Sequence, residues 1–498
     1  MELDLFVTRG LGDTSYLLAS GREAVLVDPQ RDAWRFIAAA EQRGVRIVRV
    51  LETHVHNDYL SGALEVRAAT GAEIVAPARG GYEFAHRPAD EGESVELGGY
   101  RLTAMATPGH TPEHLAWIIT AQDGPVADGD LALGDGLNGT GAASNPAPLA
   151  AFTGGSLLMG SVGRTDLLGP TLSSALTLDQ QRSLKRLAEL PDDVRILPTH
   201  GAGSFCSAGP VARGDATTVG EERRDNPTFA RIGDDATAFR ELLLGGLGRV
   251  PAYYAHMAAL NRRGPRILGA YREPPELDPA AFAAKAGAGT TIVDGRGRRS
   301  FAAGHLPGSI NIELDDSFAA YVGWLVPFAA PILLVLPEPL RETAEEATTQ
   351  LLRIGYERVL GTLAGGVEAW QADGREISAY EVTTMDEVNA EAAGVGATGA
   401  TGRAGVTGET VLDVRQPIEW QDDGAIPGAQ RIFVADLPAR LAEIPAGERV
   451  TVLCKSGARA AIAASLLDAA GRDVRLVARG GAASWAGTFE HPATDAVG

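Results

Sequence analysis

Short apolar runs alternate with amphipathic stretches over the first 200 residues. Residues 15–18 (SYLL) and 24–27 (AVLV) have the length and content of strands, the second ending at Asp28-Pro29. A helix is predicted next, with Asp32 as its N-cap and Gly44 just past its end. Residues 46–51 (RIVRVL) read as a further strand that runs straight into Thr53-His54-Val55-His56-Asn57-Asp58. This alternation predicts an α/β layer architecture. Residues 124–148, rich in Gly, Ala and Asp, break it and read as a mobile surface insertion. One stretch, 318–336, runs nineteen residues without a charge, the length of a membrane span. Gly323, Pro327 and Pro331 interrupt it and residues 332–336 (ILLVL) read as a buried strand, so no transmembrane helix is expected.

The C-terminal part repeats itself. Ile292-Val293-Asp294-Gly295-Arg296 recurs as Val411-Leu412-Asp413-Val414-Arg415, and His305-Leu306-Pro307-Gly308 as Ala425-Ile426-Pro427-Gly428. Gly365-Gly366 with Trp370 recurs as Gly480-Gly481 with Trp485. The offsets of 119, 120 and 115 predict two tandem domains of roughly 115 residues. Residues 391–409, rich in Ala, Gly and Thr, are either a linker between them or a loose loop opening the last domain. The expected plan is a domain over 1–245, a connector over 246–265, and repeats over 266–385 and 386–498.

Composition narrows the function classes. A chain of 498 residues exceeds one core, and 45% hydrophobic with 22% charged residues belongs to a folded protein. The net charge of −20 argues against nucleic acid or an anionic membrane as partner. Two cysteines, Cys206 and Cys454, exclude a disulfide framework and fit a reducing cytoplasm. The opening Met1-Glu2-Leu3-Asp4 shows neither basic nor apolar signal character, so a cytoplasmic location is expected.

Six of the nine histidines, 54, 56, 86, 110, 114 and 200, fall in the first 200 residues. His54-x-His56-x-Asp58 sits at a strand end, where α/β sheets place their sites. His110 lies in the tight turn Thr107-Pro108-Gly109-His110-Thr111-Pro112, and His200 in Pro198-Thr199-His200-Gly201. Imidazoles with carboxylates suit Zn or Fe. The expected metal face is His54, His56 and His110, with Asp58 and His200 as orienting groups or further ligands. His86 reads as structural, and His114 as either a pocket residue or a structural one.

A second constellation follows the strand at 450–453: Cys454-Lys455-Ser456-Gly457-Ala458-Arg459, then a helix-forming run over 460–470. Strand, short loop and helix N-terminus ring one sulfur with backbone N–H groups, which favours a thiolate or persulfide. Cys206 is expected to be a small packed side chain, with a sulfur-relay role as the other reading.

Together Asp28, His54-x-His56-x-Asp58, the Thr-Pro-Gly-His-Thr-Pro turn, Phe152-Thr153-Gly154 and His200 resemble the metallo-β-lactamase fold. Gly163-Arg164-Thr165-Asp166-Leu167 is similar to the persulfide dioxygenase branch, which is related to glyoxalase II. The resemblance covers roughly residues 1–245 and implies an αββα sandwich with one metal ion, Fe(II), or Zn as the alternative. It departs at Tyr59, where the family has a further His, and at Gly155, where it has a metal-ligating Asp. A dinuclear site would lose both groups, a mononuclear one only the carboxylate. Three alternatives stay open: three imidazoles serve alone, Asp128, Asp130 or Asp135 supplies the carboxylate, or the domain is a metal-free scaffold. Arg164 would bind the anionic end of a glutathione-like substrate or pair with Asp166.

Residues 454–459 resemble the rhodanese active-site loop, framed by Asp413, Arg415, Ile426-Pro427-Gly428 and Gly480-Gly481, with Gly424-Ala425 replacing the usual Gly-His. The resemblance implies that Cys454 carries sulfane sulfur, Arg459 adds charge at the rim, and Lys455, Ser456, Gly457 and Ala458 cradle substrate. The first repeat has Pro337-Glu338-Pro339 there and no cysteine, which marks an inactive copy. The combined expectation is an α/β enzyme of sulfur metabolism: a metallo-β-lactamase sandwich followed by two rhodanese-like domains. It would oxidise a low-molecular-weight persulfide and move sulfane sulfur among persulfide, thiosulfate and a glutathione-like thiol; a homodimer stays open. The alternatives are a zinc thiolester hydrolase and a metal-free scaffold with sulfurtransferase activity alone.

Overall fold

The computed structural model describes residues 1–122, 132–133, 147–209, 216–395 and 409–491. Asp128, Asp130 and Asp135, nearly all of the 124–148 insertion, and most of the 391–409 stretch lie outside the described residues. The chain divides into two compact units, Met1–Arg272 with Leu352–Gly355, and Glu273–Leu351 with Tyr356–Gly498.

In the first unit, strands β1 (Glu2–Thr8), β2 (Asp13–Ser20), β3 (Glu23–Val27), β4 (Arg46–Leu51), β5 (Glu73–Pro77) and β6 (Arg87–Ala89) form one sheet. β7 (Ser94–Leu97), β8 (Tyr100–Ala106), β9 (Leu115–Ala121), β11 (Pro148–Gly154), β14 (Arg195–Pro198) and β15 (Thr217–Thr218) form the other. The two-residue strands β10 (Ala132–Leu133), β12 (Leu157–Leu158) and β13 (Ser161–Val162) complete the set. The sheet orders are β10-β1-β2-β3-β4-β5-β6 and β15-β14-β11-β9-β8-β7.

The side-chain period of two builds the layers. Tyr16 and Leu18 of β2 point inward with Trp117, Ile119 and Phe152 of the facing sheet. Their neighbours Leu17 and Ala19 point outward onto Phe36 and Ala40 of the helix Trp34–Arg43. On the far side Ile118 and Ile196 meet Leu184 and Leu187 of the helix Pro170–Leu187. The result is the expected αββα sandwich. Its first helix starts later than predicted: Ala33 holds the cap position without a side-chain bond, because the Asp32 carboxylate accepts from the Arg353 guanidinium at 3.0 and 2.6 Å. Gly44 ends that helix in the left-handed region, φ 68°, as predicted.

The repeat is visible in the second unit as two parallel five-stranded sheets. The first holds β16 (Glu276–Leu277), β17 (Thr291–Asp294), β18 (Ile310–Asn311), β19 (Ile332–Val335) and β20 (Val359–Leu363), in the order β16-β20-β19-β17-β18. The second holds β21 (Glu381–Thr384), β22 (Glu409–Asp413), β23 (Gln430–Arg431), β24 (Arg449–Leu453) and β25 (Val474–Arg479), in the equivalent order β21-β25-β24-β22-β23. Equivalence extends to hydrogen bonds. Arg296 Nη2 donates to Asp294 Oδ2 at 2.7 Å and to Gly304 O at 2.9 Å. Arg415 Nη2 does the same to Asp413 Oδ2 at 2.7 Å and Gly424 O at 2.8 Å. The uncharged stretch at 318–336 resolves into the helix Phe318–Leu325 and strand β19. Among the described residues no helix is long and apolar enough to cross a membrane.

Candidate metal centre and cysteine loop

Loops after β3, β4, β8, β11 and β14 converge at one end of the sandwich. Asp28, at a positive φ of 48°, accepts from Thr53 N at 2.8 Å, from Thr53 Oγ1 at 2.7 Å, and from Thr199 Oγ1. These bonds tie the loop after β4 to the loop after β14. Burial pushes the Asp28 carboxyl up, but His56 and these donors bring it below its ordinary value.

Three imidazoles then face one another. The ring centroids of His54, His110 and His200 lie 5.0, 5.2 and 5.3 Å apart, nearly an equilateral triangle. Each Nδ1 is engaged: that of His54 with Thr53 Oγ1 at 2.8 Å, that of His110 with Arg164 O at 2.8 Å, and that of His200 with Asp13 Oδ1 at 2.8 Å. A carbonyl can only accept, so His110 carries its proton on Nδ1 and turns a bare Nε2 inward. That Nε2 is buried without a partner. His200 Nε2 lies 3.3 Å from His54 Nε2. Outer bonds that fix ring and tautomer are the usual support of metal-binding histidines.

Ligand atoms within 4.8 Å of one another come from three sets among the described residues: His54, His110 and His200; Asp28, His54 and His56; and His56, Asp58 and His200. The expected face of His54, His56 and His110 is not among them. His56 Nε2 is held by Glu52 Oε2 at 3.1 Å and by the hydroxyl of Tyr59 at 3.1 Å, with the ring stacked on Tyr59. Asp58 Oδ2 lies 3.2 Å from His200 Nδ1, yet no well-aligned hydrogen bond reaches either of its oxygens.

The charges fit a cation. Burial pushes the imidazoles of His54 and His114 well below their ordinary value, and burial with the neighbouring His200 charge takes His110 down to about 3. His200 goes the other way, to about 9, because Asp58 and Asp13 outweigh its burial. With Nδ1–H donated to Asp13, the extra proton of His200 sits on the Nε2 that faces His54. A metal ion on the three Nε2 atoms would take that proton's place, so the residues present fit one ion.

Gly155 stands where the resembling family has its carboxylate. A Cβ there would lie 2.3 Å from His110 Cδ2, so His110 fills the space a side chain would need. Gly155→Ala is therefore expected to displace His110, lowering stability by about 1–3 kcal/mol and weakening metal retention. Thermal melts and metal analysis of the purified variant check this. His114 is used structurally, bonding Thr107 Oγ1 at 2.8 Å and accepting the Gly155 N–H at 2.9 Å. His86 bonds the carbonyl of Phe84. Arg164 is committed to Asp166 through two 2.7 Å bonds and to Phe205 O at 3.2 Å, which leaves no free fork for a substrate carboxylate. Cys206 is fully buried, and burial together with Asp58 and Asp13 pushes its thiol well up.

Several site residues carry no motif. Asn261, on the helix Tyr254–Arg263, accepts from Ser61 N at 2.9 Å and donates to His56 O at 2.9 Å and Tyr59 O at 2.8 Å. Gln180 accepts the His110 N–H at 3.1 Å and donates to Ser156 O at 2.7 Å. Asp13 and Glu52 hold His200 and His56. A polar side chain on the apolar face of a helix is the one signal that could have pointed to Gln180.

In the last repeat Cys454 follows β24 and is buried. The Gly457 N–H donates to its Sγ at 3.1 Å, and the helix Ala458–Ala469 begins at once. Gly457 takes φ +97°, a conformation that favours glycine. Arg459 forks onto Glu419, Nη2 to Oε1 at 2.8 Å, and Lys455 is exposed, 3.5 Å from Asp423. Tyr321 of the first repeat lies within electrostatic reach of Arg459 and Cys454, and burial pushes its phenol up to about 12. At the equivalent place after β19 stands Leu336, buried, and two residues on the Glu338 carboxylate accepts the Leu340 N–H at 2.9 Å.

Residues 8–200 match the Metallo-beta-lactamase superfamily, and residues 278–373 and 401–488 each match the Rhodanese-like domain. A hydroxyacylglutathione hydrolase of Dechloromonas aromatica is 37% identical over 126 residues, 25% of this chain and 44% of that protein. The chain thus spans less than half of that relative's length. A hydroxyacylglutathione hydrolase of Cereibacter sphaeroides is 29% identical over 272 residues, 52% of this chain and 86% of that protein. The crystal structure of a metallo-beta-lactamase from Staphylococcus aureus, 26% identical, superposes with a TM-score of 0.61 over 72% of this chain and 98% of that one.

Proposed function

We propose, since this chain joins a metallo-β-lactamase-superfamily domain to two rhodanese-like domains, that it is an enzyme of sulfur metabolism with two chemistries. The observation that carries the reading is the Cys454 loop, with Gly457 N–H on Sγ at 3.1 Å between strand and helix. The Cys454 thiolate attacks the outer sulfur of thiosulfate or of a persulfide. The donor S–S bond breaks and its electron pair leaves with sulfite or thiolate. A thiophilic acceptor then attacks the Cys454 persulfide and restores the thiolate.

In the first unit one metal ion, Fe(II) with Zn as the alternative, would be held by His54, His110 and His200. Fe(II) on such a face supplies open positions and redox capacity for oxidising the persulfide of a glutathione-like thiol to sulfite. The reaction balances as RSSH + O2 + H2O giving RSH, sulfite and two protons. This chain's own residues fix the geometry: Thr53, the Arg164 carbonyl and Asp13 orient the rings, and Asn261 holds the loop that bears His56.

The hydroxyacylglutathione hydrolase relatives favour a second reading, zinc-dependent hydrolysis of a glutathione thiolester. Metal analysis of anaerobically purified protein, with oxygen uptake on glutathione persulfide and turnover of a glutathione thiolester, separates the two. Iron with oxygen uptake is expected. Zinc with thiolester turnover and no oxygen uptake establishes the second reading, and protein without stoichiometric metal that still transfers sulfur leaves Cys454 as the sole reaction centre.

A further inference from the structure

We propose that Arg298, in the repeat that has no cysteine, is a positioning residue for the Cys454 sulfur and acts through a single peptide group. The inference rests on Cys454 being the sulfur carrier. Arg298 Nη1 donates to Ser456 O at 2.7 Å. The same peptide unit carries the Gly457 N–H, which donates to Cys454 Sγ at 3.1 Å. One amide plane therefore bridges a guanidinium in the first repeat to the sulfur in the second.

Two physical consequences follow. A charged donor on the carbonyl polarises the amide and strengthens its N–H as a donor to an anionic sulfur. The bond also fixes which way the peptide faces. Glycine at φ +97° has the backbone freedom to let the 456–457 peptide rotate, which would turn a carbonyl oxygen toward a thiolate. Arg298 holds the other orientation.

The contact is built on both sides. Glu313 accepts the Arg298 backbone N–H at 2.7 Å through Oε1 and pairs with the guanidinium through Oε2. A Cβ on residue 457 would lie 2.2 Å from Arg298 Nη1, so glycine there admits the approach of Arg298 as well as the backbone turn. Among the described residues, Arg459, paired with Glu419, and the phenol of Tyr321 lie within electrostatic reach of the sulfur, and Lys455, next to it in sequence, is exposed and pairs with Asp423. On this account the cysteine-less repeat contributes a residue to the sulfur site and is more than a spacer.

The test is the pH profile of Cys454 alkylation by iodoacetamide in the full chain, read by mass spectrometry of the Cys454 peptide. Arg298→Met is expected to move the profile's midpoint upward by about half a pH unit or more. Arg298→Lys, which keeps the charge, should move it less, and Arg299→Met, an exposed neighbour, not at all. An unchanged midpoint in folded Arg298→Met overturns the proposal, as does an equal shift in Arg299→Met. If Arg298→Met does not fold, Glu313→Gln, which loosens the guanidinium, must shift the profile in the same direction; no shift overturns it. Alkylation reads the sulfur whether or not it turns over. A wild type that transfers no sulfur therefore refutes the function proposed for Cys454, while the alkylation series still decides the role of Arg298.

Discussion

Replacing Cys454 by serine lowers sulfane-sulfur transfer from thiosulfate to an acceptor by about 10³-fold or more, with bound metal unchanged. A hydroxyl can occupy the loop and take the Gly457 N–H, so the fold is kept. It forms no persulfide, so the reaction has no carrier. No other group can stand in. The equivalent position of the first repeat, one residue past the strand pairing of Asp294 with Val335, holds the buried apolar side chain of Leu336. Cys206 is fully buried, with burial and two carboxylates disfavouring its thiolate. Thiosulfate-dependent transfer, together with mass detection of a sulfur adduct on the Cys454 peptide, measures the effect. Transfer retained in the serine variant would remove Cys454 from the reaction.

The second large effect concerns metal. Replacing His54 or His110 by alanine, or His200 by glutamine, is expected to take bound metal from about one ion per chain to less than about a tenth. Glutamine is chosen at 200 because its amide can still donate to Asp13, whereas alanine would remove the imidazole that sits between Asp13 and Asp58 and leave Asp13 only the Gln30 amide at 3.4 Å. Breaking such a buried pair costs about 3–5 kcal/mol by itself. His56→Ala should weaken affinity by only about 10–100-fold, since that imidazole is held by Glu52 and Tyr59. Metal analysis after gel filtration, with a thermal melt of each variant, reads the outcome. If His56→Ala loses metal while His200→Gln keeps it, the ion sits on His54, His56 and His110 instead.

The difference between those two faces shows what sequence can and cannot carry. Strands β3 and β4, the tandem repeat and the cysteine loop are legible because each is written in contiguous residues whose spacing matches a backbone period or a turn. The convergence of His54, His110 and His200 is not, because it depends on contacts over long separations, His200 being 187 positions from Asp13. Alternation along the loop after β4 suggests that His54 and His56 aim together. Their ring centroids do lie 4.2 Å apart, while Glu52, one residue past the end of β4, bonds His56 Nε2 at 3.1 Å and the corner beside His54 and His110 is taken by His200. Asp32 misleads for a similar reason, since its carboxylate finds the Arg353 guanidinium in place of the helix N–H groups. Arg298 carries no signature at all; its meaning comes from the one carbonyl it reaches.

The Asn261 side chain has a consequence for dissecting the protein. All five clustered imidazoles, and every strand of the sandwich, precede residue 245, so a fragment ending there would look complete by motif and by sheet. It would nonetheless lack the amide that pins Ser61, His56 and Tyr59 from the helix Tyr254–Arg263. Proteolytic nicking between the sandwich and that helix would likewise leave each ligand in the polypeptide while freeing the loop that carries His54 and His56 from this anchor. Metal retention is in this sense a report on chain integrity beyond the last strand.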